Sequence, residues 1–472
     1  MEDLIKQARV PSDVGSSKFT AHELVQKQRA FFQSGKTRPL AFRLDSLRRL
    51  KASLIEHEDE INQALREDLN KPPFEAYMTE TGIVLSELRF LERNLPRWIR
   101  ERRVRTPLAL WPARSSISPE PYGVALILSP WNYPIQLTLN LLIASIAAGN
   151  CSIVKPSAYA PATSRLLASL LGDLFPPDYV AVVEGGRQEN QALLEQAFDF
   201  IFFTGSTEVG RIVMESAARN LTPLVLELGG KSPAIVDETA DIRLAARRIA
   251  FGKVLNAGQT CVQPDYLLIH REVKEAFVGH FRQALLDFFP DGHYEDLPRI
   301  INDKHFQRLE GLLEGQTVLV GGGRDRASRL IEPTLLDEVD PKSPIMQEEI
   351  FGPLLPLITF EDLEECVRFI RQRPKPLAFY LFTKDRARER MILDSCSFGG
   401  GVINDTIIHL ASPYLPFGGV GDSGMGSYHG YKSFETFSNM RSLVRQSKRI
   451  ELPIRYRPYK EGWLRLLKKL MR

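Results

Sequence analysis

Cys261 ends the polar, glycine-led run Gly258-Gln259-Thr260, unlike the apolar surroundings of a cysteine that only fills a core. A thiol there is a candidate nucleophile. With an ordinary pKa of about 8.5 it needs an electropositive, partly accessible niche to ionise at neutral pH. A lone free cysteine is more often simply buried. Glu227 lies in the apolar run LVLELGG. Burial there raises a carboxyl toward the neutral range that suits a general base. The alternative is a strand-end carboxylate paired with Lys231. No histidine accompanies the GQTC run, as a cysteine hydrolase would require, and the eight histidines form no HExxH or comparable ligand set, so no metal is expected.

Further segments carry polar and glycine residues at chain turns: SPWNYP (129–134), VKPS (154–157), FTGSTEVG (203–210), EEIFGP (348–353) and PFGGVGDSG (416–424). Singly they are weak. FTGSTEVG matches neither GxGxxG nor a phosphate-binding P-loop, since Arg211 and Ile212 stand where Lys and Ser/Thr belong, and alone it reads as a strand-to-helix turn.

Together and in this order, these segments with ELGGK (227–231) and GQTC (258–261) resemble the aldehyde dehydrogenase superfamily, from about residue 40 onward. The GQTCVQPDY context and the basic tail look most like its class 3 branch of fatty and aromatic aldehyde dehydrogenases. The resemblance implies NAD(P)-dependent oxidation of an aldehyde, leaning to medium or long aliphatic chains, through a thiohemiacetal and a thioester on Cys261. Deacylation would be by water activated by Glu227. It assigns the side-chain amide of Asn132 and the Cys261 N–H to the oxyanion. It puts Lys155 on the adenosine ribose, Gly205 and Ser206 at the pyrophosphate, Glu349 on the nicotinamide ribose and Phe351 near the ring. Ser129, Trp131, Ser157, Ala158, Thr204, Val209, Gly210 and Leu228 complete the implied cofactor site. A homodimer is also implied. The rivals are an acylating, coenzyme A-dependent enzyme, against which Glu227 argues, and a catalytically silent structural or membrane-associated protein of the same fold.

Two positions depart from the family pattern. Many NAD-preferring relatives carry an acidic residue three positions past the lysine of VKPS, where this chain has Ala158. A carboxylate binds the ribose 2′-OH of NAD and repels the 2′-phosphate of NADP, so its absence predicts that NADP is accepted. Gln263 replaces a small residue two positions past the nucleophile. It either narrows the substrate funnel, adds a polar contact there, or faces solvent without a role.

The elements that position these residues are legible from periodicity. Residues 21–34, 40–69 and 74–102 read as amphipathic helices. The proline-broken segment 103–121 suits a projecting hairpin or arm. From 123 to 237, short β-branched or aromatic runs alternate with helical stretches, and a second series follows with YLLIH, TVLVGG, LLPLITF and AFYLFT. This predicts an α/β fold: a doubly wound cofactor domain at 1–228, a catalytic α/β domain at 229–416 and a return segment at 417–472 used with the arm for oligomerisation. Residues 121–154 carry no charge, but Pro130, Asn132, Pro134 and Gly149 divide the stretch and argue against a membrane span.

At 472 residues, 43% hydrophobic and 25% charged, the chain has the composition of a folded multidomain enzyme. A net charge of +3 gives no field for nucleic acid. Residues 441–472 hold eleven Lys or Arg against Glu451 and Glu461, so the tail is +9 and the remainder −6. Within it, Trp463, Leu466, Leu467, Leu470 and Met471 fall on one helical face, giving a basic amphipathic helix that docks on protein or contacts an anionic membrane. Four scattered cysteines and a start, MEDLIKQARV, without a secretory pattern suggest the cytoplasm, with membrane association open.

Overall fold

The computed structural model describes residues 20–471, so the expectation resting on the first ten residues lies outside them, as does Arg472 of the tail. The N-terminal layer is helical, as the periodicity predicts. Thr20 and Glu23 form a reciprocal capping box on Ala21–Gln33. Leu47, Leu50 and Leu54 bury one face of Leu40–Glu56. The single helix expected over 40–69 divides at His57, and Glu58–Leu69 follows as a second helix. The helix expected from residue 74 contains a π-helical turn, Tyr77–Thr81, before continuing as Gly82–Trp98. Such turns re-aim side chains, and here Glu80 is fully buried.

The uncharged stretch folds as a strand, a turn, a helix and a strand. Val124–Leu128 and Cys151–Lys155 are buried along their length, and every residue of the helix Gln136–Ala148 between them is buried. A helix apolar all round belongs inside a large core. Among the described residues no helix is long and apolar enough to cross a membrane.

Two sheets organise the α/β body. The first has six strands in the order Gly424–Met425, Leu224–Leu228, Phe200–Gly205, Val124–Leu128, Cys151–Lys155, Val180–Val182. All its pairings are parallel except the first. Its order reverses at Val124–Leu128, whose two neighbours come later in the chain on opposite sides. The second has seven strands: Thr317–Val320, Thr334–Asp337, Leu354–Phe360, Tyr266–His270, Pro233–Val236, Ala378–Phe382 and Gly400–Ile403. Only its first pairing is antiparallel. The architecture is the α/β one expected. The strands Thr334–Asp337, Gly400–Ile403 and Gly424–Met425 have no counterpart in the sequence pattern. Each spans four residues or fewer, too short for alternation to register.

The arm is a hairpin, Arg102–Val104 with Arg114–Pro121, extended by Ser438–Arg445 into a three-stranded antiparallel sheet. The tail helix spans Glu461–Leu470 and packs beside the tip of the arm at Leu108–Leu110. Leu464, Leu466 and Met471 remain exposed, as do Leu108, Leu110 and Trp111.

Candidate active site

In an open parallel sheet, ligands bind beyond the carboxyl ends of the strands, where the strand order reverses. The candidate residues gather there. Ser129, Trp131 and Asn132 follow Val124–Leu128. Lys155 ends its strand and Ser157 follows. Thr204 and Gly205 end theirs, and Glu227 and Leu228 close Leu224–Leu228. The second sheet meets them with the amino ends of its strands: Cys261 precedes Tyr266–His270, and Glu349 and Phe351 precede Leu354–Phe360.

The loop that carries Cys261 begins with a strained turn. Asn256, Ala257 and Gly258 all adopt positive φ, at 51°, 50° and 69°. Two of the three have side chains, so the turn is strained and must be held from outside. Gln259, completely buried, does so through all of its polar atoms. Its side-chain amide donates to the Asn256 and Arg299 carbonyls at 3.1 and 3.0 Å and accepts the Ile301 N–H at 3.0 Å. Its own carbonyl accepts from the Asn132 side chain at 3.0 Å and the Asn256 side chain at 3.1 Å. The next residue, Thr260, shares a 2.6 Å hydrogen bond with the Tyr133 hydroxyl. Asn132 is thus tied to the loop that carries Cys261. One of its amide protons is committed to Gln259, leaving the other for a ligand.

Cys261 is a partly exposed free thiol. The expected electropositive niche is absent: burial first, then the carboxyls of Glu349 and Glu227, push its pKa up. Glu227 is 3% exposed, neither carboxyl oxygen has a partner, and burial raises its pKa well above the ordinary value. The alternative pairing with Lys231 does not occur. Lys231 pairs with Asp265 and donates to the Ile345 and Glu348 carbonyls at 2.7 and 3.0 Å. Glu349 accepts the Gly230 N–H, yet burial pushes it up to about 8. It lies against Gly229, where a β-carbon would collide with its carboxylate.

Among these residues, buried oxygens lack partners at Thr204 Oγ1, Asn132 Oδ1 and Glu349 Oε1, as expected where a ligand supplies the missing bonds. Ser206 caps the helix Thr207–Arg219 by accepting the Val209 N–H at 3.4 Å, and the free N–H groups of that first turn suit an anion. Gly210 lets the helix press on Leu228. The Lys155 ammonium donates to the Pro156 and Gly185 carbonyls at 2.8 and 2.6 Å, keeping a third proton for a ligand. Burial lowers its pKa to about 8. Ser157 is half-buried, while Ala158 and Val209 are exposed at the mouth. Trp131 and Phe351 meet edge to face, 5.3 Å between centroids. These residues fit a dinucleotide: a lysine and a helix start for phosphates and ribose, and unpaired oxygens for hydroxyl donors.

Sequence reasoning missed the buried charges beneath this site. Lys71 pairs with Glu80 at 2.6 Å with neither side chain exposed. Its ammonium also reaches the Asn132 carbonyl at 3.4 Å and lies 4.3 Å from the Tyr133 ring centre. Glu80 accepts the N–H groups of Ile135 and Gln136, both at 2.9 Å, at the start of the buried helix. Glu75 accepts the Asn256 N–H at 2.8 Å. The helical layer therefore anchors both the Asn132 turn and the turn that leads to Cys261. Gln263 corrects another expectation. It neither lines a funnel nor faces solvent, being 1% exposed, and its carbonyl oxygen accepts from Lys253 at 2.6 Å. No sequence signal marks the first network, since Lys71 lies in the loop before Pro73–Ala76 and Glu80 in the π-helical turn nine residues on. Lys71→Met leaves Glu80 buried without its cation and is expected to cost roughly 3–5 kcal/mol of stability. Urea unfolding checks this, and a loss below about 1 kcal/mol would mean the pair is not the anchor described.

Residues 12–443 match the Aldehyde dehydrogenase family. The chain is 47% identical over 436 residues to the 4,4'-diaponeurosporen-aldehyde dehydrogenase of Staphylococcus aureus, covering 92% of this chain and 95% of that one. It is 45% identical to the dimeric NADP-preferring aldehyde dehydrogenase of Canis lupus familiaris, covering 92% and 97%. Among solved structures, the substrate-bound state of Staphylococcus aureus AldH superposes with a TM-score of 0.93 at 45% identity, covering 96% and 99%. The chain belongs to the aldehyde dehydrogenase family and is an NAD(P)-dependent oxidoreductase acting on aldehydes.

Proposed function

We propose that Cys261 attacks the aldehyde carbonyl, with Asn132 and the Cys261 N–H taking the oxyanion, and that Glu227 activates the water that releases the acid. The observation that carries this is the meeting of the thiol with a completely unpartnered buried carboxyl at the carboxyl ends of a parallel sheet. Cys261 loses its proton to solvent and the thiolate forms the S–C bond as the carbonyl π bond opens to a thiohemiacetal oxyanion, whose stabilisation by one fixed donor is worth roughly 3 kcal/mol. When bound, NAD(P)+ supplies the hydride acceptor and a cationic ring. The thioester left on Cys261 is cleaved by water, and Glu227 holds the proton removed from it. Lys155, Ser157, Thr204, Gly205, Ser206, Val209, Gly210 and Leu228 hold the adenosine and phosphates. Ser129, Trp131, Glu349 and Phe351 hold the nicotinamide half. The cofactor and catalytic domains follow the two sheets, with bounds at 1–228 and 229–416 and the return segment at 417–472.

Substrate approaches through a cavity of about 290 Å³ between the π-helical turn and residues 410–413, where Met78, Ile83, Leu410 and Pro413 offer apolar wall for a medium or long chain. A second copy of the chain covers the three-stranded sheet and the uncovered face of the tail helix, in keeping with the relative named as dimeric. The other reading of that helix, with Lys468 and Lys469 beside its apolar face, is contact with an anionic membrane. Sedimentation velocity and vesicle flotation separate the two.

Two outcomes test the site. Glu227→Gln is expected to slow steady-state turnover at least roughly 100-fold while still releasing about one equivalent of reduced cofactor per subunit in a burst, because only deacylation needs the base. Loss of the burst together with turnover would assign Glu227 an earlier step. With Ala158 at the ribose mouth, kcat/KM for NADP+ should equal or exceed that for NAD+, and Ala158→Glu should lower the NADP+ value about tenfold or more. Strong NAD+ selectivity in the native enzyme contradicts the assignment.

A further inference from the structure

We infer that the approach cavity reads a hydroxyl group carried on the aldehyde's chain, with Asn140 and Glu87 as its recognition groups. This deepens the assignment above and rests on it. Beside its apolar residues, the cavity is also lined by Glu87, Asn140 and His429. Glu87 comes from the helix Gly82–Trp98 and Asn140 from the buried helix Gln136–Ala148, two helices packed together. Asn140 is 4% exposed and its amide oxygen has no hydrogen-bond partner. Glu87 is 9% exposed, and one of its oxygens accepts the Gly430 N–H at 2.8 Å. The carboxyl has acceptor capacity beyond that single bond.

No Lys or Arg lines the cavity, burial lowers the His429 imidazole to about 4 and pushes the Glu87 carboxyl up to about 7, so the wall presents a neutral ring, an amide and a carboxyl that both donates and accepts near neutral pH. One residue separates the cavity wall from the surroundings of Cys261. Tyr428, beside His429 with 4.5 Å between ring centres, is within electrostatic reach of Glu227, Cys261 and Glu87 together. A wholly apolar chain leaves the Asn140 amide and the spare Glu87 acceptor without a partner. A hydroxyl can donate to one of them while accepting from the Asn140 amide N–H. Sites built to hydrogen-bond a hydroxyl discriminate against the analogue lacking it, because their own polar groups are then left unpaired.

The test uses wild-type enzyme with NADP+ and three matched series of roughly six to ten carbons: n-alkanals, their ω-hydroxy counterparts and their ω-methoxy counterparts. At one chain length or more, the hydroxy aldehyde is expected to exceed both the alkanal and the methoxy aldehyde about tenfold in kcat/KM. In Asn140→Leu, or in Asn140→Ala should the first fail to fold, that ratio falls to within about twofold. Equal values for all three series in the wild type overturn the inference, as does a hydroxy preference that both variants retain. Absence of turnover with alkanals and hydroxy aldehydes alike overturns the dehydrogenase site itself, and with it this inference.

Discussion

A thiol and two carboxyl groups share one water-poor pocket, and the rest of the molecule is arranged around the cost of keeping them there. Cys261, Glu227 and Glu349 each prefer their neutral form, because burial penalises charge and because each carboxylate would repel a thiolate. Burial therefore holds the three groups toward their neutral forms. In the proposed mechanism a cationic nicotinamide would shift that balance, leaving Cys261 to ionise and Glu227 to serve the water, roles set by environment more than by residue type.

Holding such a pocket still requires rigidity that the active-site loops lack by themselves. The turn at Asn256–Gly258 is strained, and the Asn132 turn contains no regular structure. Both are clamped from elsewhere: Gln259 ties them to each other, and Glu75, Lys71 and Glu80 tie them to the N-terminal helical layer. On the opposite side, Asp265 accepts the Ile350 N–H at 2.9 Å and pairs with Lys231, fixing the loop that carries Glu349. Buried ion pairs are poor sources of stability. Their use here is geometric, as supports for groups that need placement to a fraction of an ångström.

Much of this was legible in the chain itself. Cys261, Glu227 and Asn132 are legible through the family pattern that their segments form together and in order, each segment being weak when taken singly. The parallel sheets follow from the alternation of short apolar runs with helical ones. The supporting network was not legible. Lys71, Glu75 and Glu80 sit in a stretch rich in charge, where a solvated helix face is the ordinary expectation, and only the fold turns them inward. The electropositive niche expected for Cys261 failed for a related reason: the neighbours Gly258, Gln259 and Thr260 report nothing about Glu349, which arrives from a distant loop. Gln263 likewise reads from the sequence as either a substrate contact or a solvent-facing residue, because its partner Lys253 lies ten positions away and only the fold brings the two together.

The most direct test is the pH dependence of Cys261 alkylation by iodoacetamide, without and with NADP+. In the free enzyme the rate should climb without a plateau to about pH 9 or beyond, as a thiol with a raised pKa requires, and saturating cofactor should accelerate it near pH 7. A plateau with its midpoint below about pH 7 in the free enzyme would contradict the account, because it would mean the thiolate forms despite the two carboxyls.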